Sequence, residues 1–147
     1  MLKMGLSLAA QGFVLLVAAT LLASSQASSP RTIVVGDSEN WSSGLNYTHW
    51  AFKNSPFFIY DKLVFKYEPP SNDSSPLDVY LLPNLYSYLT CDFTRAKLVA
   101  DPNQGGGEGF AVVLNQWRPY YFASSQGYGA YCKNGMKFFV VPFPRWY

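Results

Sequence analysis

The stretch FFIYDKLVFKY, from Phe57 to Tyr67, decides the fold. In its second half Leu63, Phe65 and Tyr67 fall on one face of an extended chain, and Lys62, Val64 and Lys66 fall on the other. Strand side chains alternate with a period of two, so the first set is expected to face a core and the second to face away. The aromatic and β-branched content suits a pleated, half-buried surface.

Outward from this strand the same grammar repeats. Thr32 to Val35 reads as a short apolar strand stopped by Gly36-Asp37, and Pro69 to Pro76 (PPSNDSSP) reads as a turn-forming loop. Asp78 to Leu82 returns as a strand, with Pro83-Asn84 expected to bend it or to sit at a bulge or edge. Gly105 to Gly109 (GGGEG) is followed by an apolar strand, Phe110 to Leu114, and by no Gly-Lys-Ser/Thr. That pattern predicts a hairpin or flexible connection rather than a phosphate cradle. Tyr120 to Ala123 and Lys137 to Pro142 supply the last two strands, and nothing after Ala27 shows a long helical period. Seven or so short strands in a hundred-odd residues predict an all-β Greek-key sandwich of two sheets.

Met1 to Ala27 has Lys3 as its only charge, an apolar run from Phe13 to Ala23, and Ser25 and Ala27 at the −3 and −1 positions of a cleavage site. This is the pattern of a secretory signal peptide; a spanning helix needs about 20 apolar residues, more than the run supplies. Residues 28–147 are then one mature domain. Trp146-Tyr147 ends the sequence without a small-residue site, spacer and hydrophobic tail, so no lipid or membrane anchor is expected. Of the eleven lysines and arginines, ten remain without Lys3, against nine acids and with no block of like charge. Nucleic acid and anionic membrane are poor partners for such a surface.

Cys91 and Cys132 are the two cysteines, and export into an oxidising space predicts that they pair. Asn40-Trp41-Ser42, Asn46-Tyr47-Thr48 and Asn72-Asp73-Ser74 are sequons, which makes Asn40, Asn46 and Asn72 candidate glycosylation sites.

Several of these segments together resemble the phytocyanins, the plant cupredoxin family that includes stellacyanins, plantacyanins, uclacyanins and early nodulin-like proteins. They are Val34-Val35-Gly36-Asp37, then Trp41, then Asn46 to Ala51 (NYTHWA), then Phe58 to Tyr67. Further on they are Tyr88-Leu89-Thr90-Cys91, Tyr120-Tyr121-Phe122 and Cys132 to Lys137 (CKNGMK). One departure is Tyr60, where the family usually has Gly before the Asp. The resemblance implies a cupredoxin-like sandwich and assigns the Cys91–Cys132 disulfide.

It also implies where a copper would sit. A blue-copper centre uses two imidazoles, a thiolate and a weak axial Met or Gln. The first imidazole position corresponds to Leu77 or Asp78, depending on one inserted residue; the thiolate position falls at Ser124 and the second imidazole at Tyr131. Met136 alone of the four matches, and the single histidine, His49, lies far from these positions in the family layout. No metal and no copper cofactor are therefore expected.

Catalysis is not expected either. A serine hydrolase would have only Ser124 or Ser125 with His49, and no Gly-x-Ser-x-Gly elbow; no spacing singles out a carboxylate pair among Glu39, Glu68, Glu108 and the aspartates. The expectation is a secreted, monomeric, copper-free cell-wall or cell-surface protein that binds glycans or extracellular proteins. The alternative is a copper-binding electron-transfer protein of the blue phytocyanin type. The candidate binding surface is Trp117, Tyr128 and Tyr131, with the Ser124 to Tyr131 loop at its centre. Tyr120 is expected in the core, and Trp146 and Tyr147 are further aromatic candidates.

Overall fold

Lys62–Phe65 is the strand the alternation predicts, and it sits at the centre of a three-stranded sheet. The structure, a computed structural model, describes residues 29–145; the expected signal peptide and Trp146-Tyr147 lie outside them. Seven strands are described: β1 (Thr32–Val34), β2 (Lys62–Phe65), β3 (Val79–Leu82), β4 (Lys97–Ala100), β5 (Phe110–Val113), β6 (Tyr120–Ala123) and β7 (Lys137–Val140). One sheet has the order β1-β2-β5, with β1 parallel to β2; the other is antiparallel with the order β4-β3-β6-β7. The all-β sandwich is thus present.

Leu63, Phe65 and Tyr67 are buried as the alternation requires. Val64 departs from it, being buried although it faces away from the other three. The turn at Gly109 covers it: a Cβ on that glycine would lie 2.9 Å from Val64 Cγ1. Between the sheets an aromatic cluster centres on Phe138, with ring centroids 5.3 Å from Phe122, 5.2 Å from Trp50 and 6.1 Å from Phe65. Trp41 joins Phe65 edge-on at 5.2 Å. Such tilted, stacked and edge-on pairs add stabilisation beyond the area they bury.

Among the described residues three short α-helices depart from the sequence reading. They are α1 (Tyr47–Asn54), α2 (Leu85–Thr90) and α3 (Ala130–Lys133). None is long enough for a sustained period, which is why periodicity did not reveal them. The start signals of two of them were legible, however: Asn46 caps α1 by accepting the His49 amide at 3.0 Å, and Asn84 caps α2 by accepting the Ser87 amide at 2.8 Å. Pro83-Asn84 therefore ends β3 and starts a helix instead of bending a strand. Likewise Gly105 to Gly109 forms no hairpin but carries the chain from β4 in one sheet to β5 in the other. β4 itself was not anticipated.

The disulfide Cys91–Cys132 joins the end of α2 to α3. Among the described residues no helix is long and apolar enough to cross a membrane.

Tyr60 adopts φ 72°, the left-handed conformation that a glycine would take without a steric penalty. Its side chain is mostly exposed and its amide donates to the Leu114 carbonyl at 2.7 Å. Tyr60→Gly is expected to keep that bond and relieve the strain, raising stability by about 0.5–1 kcal/mol after the entropy a glycine adds to the unfolded chain. A lowered urea midpoint would contradict this account.

Candidate functional site

β3 and β6 pair with Tyr80 opposite Ala123, which brings the residue before β3 against the residues after β6. Asp78 and Ser124 meet there. The Asp78 carboxylate is 3% exposed and accepts four hydrogen bonds: from Ser124 Oγ at 3.1 Å, from the Ser125 amide at 2.8 Å, from Ser125 Oγ, and from Gln126 Nε2 at 2.7 Å. Its backbone carbonyl accepts the Trp41 indole N–H at 2.8 Å, so the cluster is tied to the aromatic core. No cation pairs with it among the described residues; hydroxyl, amide and backbone dipoles alone satisfy the buried charge.

Leu77, the other candidate for the same position, is half-buried and packs against the main core. Asp78 is the residue whose side chain reaches Ser124. The remaining two positions are joined to these through the backbone: the Ser124 amide donates to the Met136 carbonyl at 3.1 Å, and the Met136 amide to the Tyr131 carbonyl at 2.9 Å. Met136 is buried, and Tyr131 is half-buried against the core with its ring over Gly127. All four positions therefore converge at one end of the sandwich. Sequence reasoning did not include Ser125 and Gln126 in this cluster; the only signal was two polar residues directly after Ser124.

These donors do not fit a type 1 copper. Such a site needs imidazole nitrogen and thiolate sulfur, whereas this one offers a carboxylate, two hydroxyls, an amide and a phenol beside one thioether. Both cysteines are held in the disulfide. His49 is exposed on α1, and among the described residues no three His, Cys, Asp or Glu side chains form a group able to hold a metal.

Beyond Gln126 the backbone turns sharply, with positive φ at Gly127, Tyr128 and Gly129 in succession. The Gly129 amide closes the turn on the Ser125 carbonyl at 3.0 Å, and Tyr128 stands fully exposed at its apex. Trp117 is also exposed, at 67%, but it precedes β6 whereas Tyr128 follows it. The two leave from opposite ends of the strand, so the structure does not gather Trp117, Tyr128 and Tyr131 into one surface. Tyr120 is buried, with its hydroxyl accepting the Gln116 amide at 3.1 Å.

A groove of about 460 Å³ adjoins this end, with Trp41, Leu77, Lys66, Tyr67 and Gly105 among its lining residues. Tyr67 is buried with Gly105 against its ring, and its hydroxyl donates to the Asp101 carbonyl at 2.6 Å. Burial first, and then the charges of Asp101 and Asp78, push the Tyr67 phenol well above its ordinary range, so it remains a donor. Of the sequon asparagines, Asn46 and Asn72 are exposed and Asn40 is half-buried.

No protein-family profile matches the chain. It is 35% identical over 121 residues to Early nodulin-like protein 16 of Arabidopsis thaliana, an alignment covering 82% of this chain and 65% of that protein's length. Among solved structures it is similar to cucumber basic protein, a blue copper protein, with TM-score 0.58, 26% identity, and coverage of 76% of this chain and 99% of that one. It also shares its fold with cucumber stellacyanin, with TM-score 0.60, 23% identity, and coverage of 79% and 98%.

Proposed function

Because the chain belongs to the phytocyanin family, we propose that it is a secreted, copper-free member acting at the plant cell wall or surface, where it binds glycans or extracellular proteins. One observation carries the reading: at the positions corresponding to the family's metal ligands, Asp78 and Ser124 are bonded to each other and to Ser125 and Gln126. A carboxylate saturated by four protein donors has no lone-pair direction left for a soft metal, and copper would have to break that cluster to bind. The same cluster stiffens the root of the loop that presents Tyr128, and a rigid root lowers the entropy cost of binding through an exposed aromatic. Loops at the end of a rigid sandwich are where recognition is commonly placed.

Adding one equivalent of Cu(II) to the mature, disulfide-bonded protein is expected to give no intense visible band and no stoichiometric metal after desalting. An intensely blue protein with one copper per chain would establish the electron-transfer reading suggested by cucumber basic protein, a blue copper protein. The binding half is tested on Tyr128→Ala, which removes a fully exposed side chain. Retention on immobilised cell-wall polysaccharides or glycan arrays should fall about tenfold or more, the size expected for an aromatic anchor. Unchanged retention of the variant would remove Tyr128 from the surface.

A further inference from the structure

The groove beside the Asp78 cluster has an occupant encoded in its own wall. Asn40, Trp41 and Ser42, the whole of one sequon, line it, together with Glu39, Lys66, Glu68 and the Gly105 to Gly107 backbone. We infer that a glycan attached to Asn40 lies in this groove as a built-in part of the folded protein. The inference rests on the secreted reading above, since glycosylation of sequons accompanies export.

Two features of the wall favour a tethered sugar over one captured from solution. The wall mixes acceptors and donors, namely Glu39, Glu68, Lys66 and the Ser42, Ser74 and Ser75 hydroxyls, which suits the vicinal hydroxyls of a saccharide. It offers no aromatic face, because Trp41 and Tyr67 are buried and Gly105 covers the Tyr67 ring. Polar contacts without such a platform repay little of the entropy lost on free association. A covalent tether removes most of that loss by raising the local concentration to about the millimolar range.

The backbone of the attachment residue is also fixed. Asn40 is half-buried with φ 57°, its carbonyl accepts the Tyr47 hydroxyl at 2.6 Å, and that carbonyl lies where a Cβ on Gly36 would be, at 2.1 Å. Asn46 and Asn72, by contrast, are exposed at a helix start and a turn, and neither lines this groove.

The full chain secreted from plant cells tests this by peptide mapping, followed by enzymatic glycan release from the native and the unfolded protein. Asn40 should be occupied and released many-fold more slowly than Asn46 and Asn72 in the native state, with the difference gone after unfolding. Ser42→Ala, which removes the sequon, should melt on the order of 3–5 °C below Ser42→Thr, which keeps it. The two variants should melt alike when made without glycosylation, which separates the sugar from the weak Ser42 Oγ bond to the Glu39 carbonyl at 3.3 Å. A secreted protein bare at Asn40 while Asn46 or Asn72 is occupied overturns the inference alone. So does equally fast release, or equal melting of the glycosylated variants. A chain that stays inside the cell with all three sequons bare overturns both the inference and the secreted reading.

Discussion

Asp78→Ala is expected to lower stability by about 2–4 kcal/mol and to loosen the loop that follows β6. Four hydrogen bonds end on that carboxylate, and bonds to a charged acceptor contribute more than neutral ones. Its removal leaves the hydroxyl of the fully buried Ser124 without its acceptor and frees the Ser125 amide. Leaving buried donors unmade costs about 1–3 kcal/mol each, partly recovered by water entering the gap. The check is a urea titration with hydrogen exchange read at the Ser125 amide, which should exchange faster while the amides of β2 remain protected. Asp78→Asn should fall between, because an amide offers one acceptor oxygen in place of two. A loss under about 0.5 kcal/mol for the alanine variant, the size of an ordinary surface change, would sink the idea that this cluster fastens the loop.

Asp61→Asn should be the most damaging single substitution at a polar position, costing about 3–5 kcal/mol. The Asp61 side chain is completely buried and accepts from the Arg31 amide at 2.9 Å, the Phe58 amide at 2.9 Å, Arg31 Nη2 at 3.1 Å and Arg145 Nη2 at 2.7 Å. It ties the start of β1 to the segment before β2 and to the end of the described chain. Arg145 is nearly buried, at 6%, and lies over the Phe58 ring at 4.8 Å, so the neutral variant strands a guanidinium without its counter-charge. Such stranding, rather than loss of attraction, makes breaking a buried pair costly.

The same carboxylate predicts an acid dependence. Burial alone would push its pKa up, but the Arg31 and Phe58 amides and the Arg31 guanidinium outweigh that and hold it below the usual carboxylate range. A depressed folded-state value means the unfolded chain binds the proton more readily. The contribution is therefore fully present above the unfolded carboxylate value of about 3.9, and is lost as pH falls from there through the folded value. The stability gap between wild type and Asp61→Asn should accordingly hold steady from neutrality down to about pH 5 and narrow as pH falls through and below about 3.9. A constant gap across that range would contradict the linkage.

Much of the architecture was legible because its signals are local. The alternation in Lys62 to Tyr67 predicted which residues face the core, and it erred at Val64 only because a distant turn covers that side. The short helices were missed because α2 and α3 span six and four residues, too few for a period to emerge. At the site, residue types alone showed that neither imidazole nor thiolate stands at the corresponding positions. They left Leu77 and Asp78 undecided and grouped Trp117 with Tyr128.

By itself, then, the sequence determined the strands with strong alternation, the pairing of two cysteines and the chemical character of the four site positions, since each follows from a residue and its near neighbours. Tertiary structure alone decided that Asp78 meets Ser124, that Gln126 completes the cluster, that Arg145 reaches Asp61 and that β6 separates Trp117 from Tyr128. The physical reason is distance along the chain: contacts between residues 46 to 84 positions apart exist only once strand register and sheet stacking are set, and no local pattern encodes those.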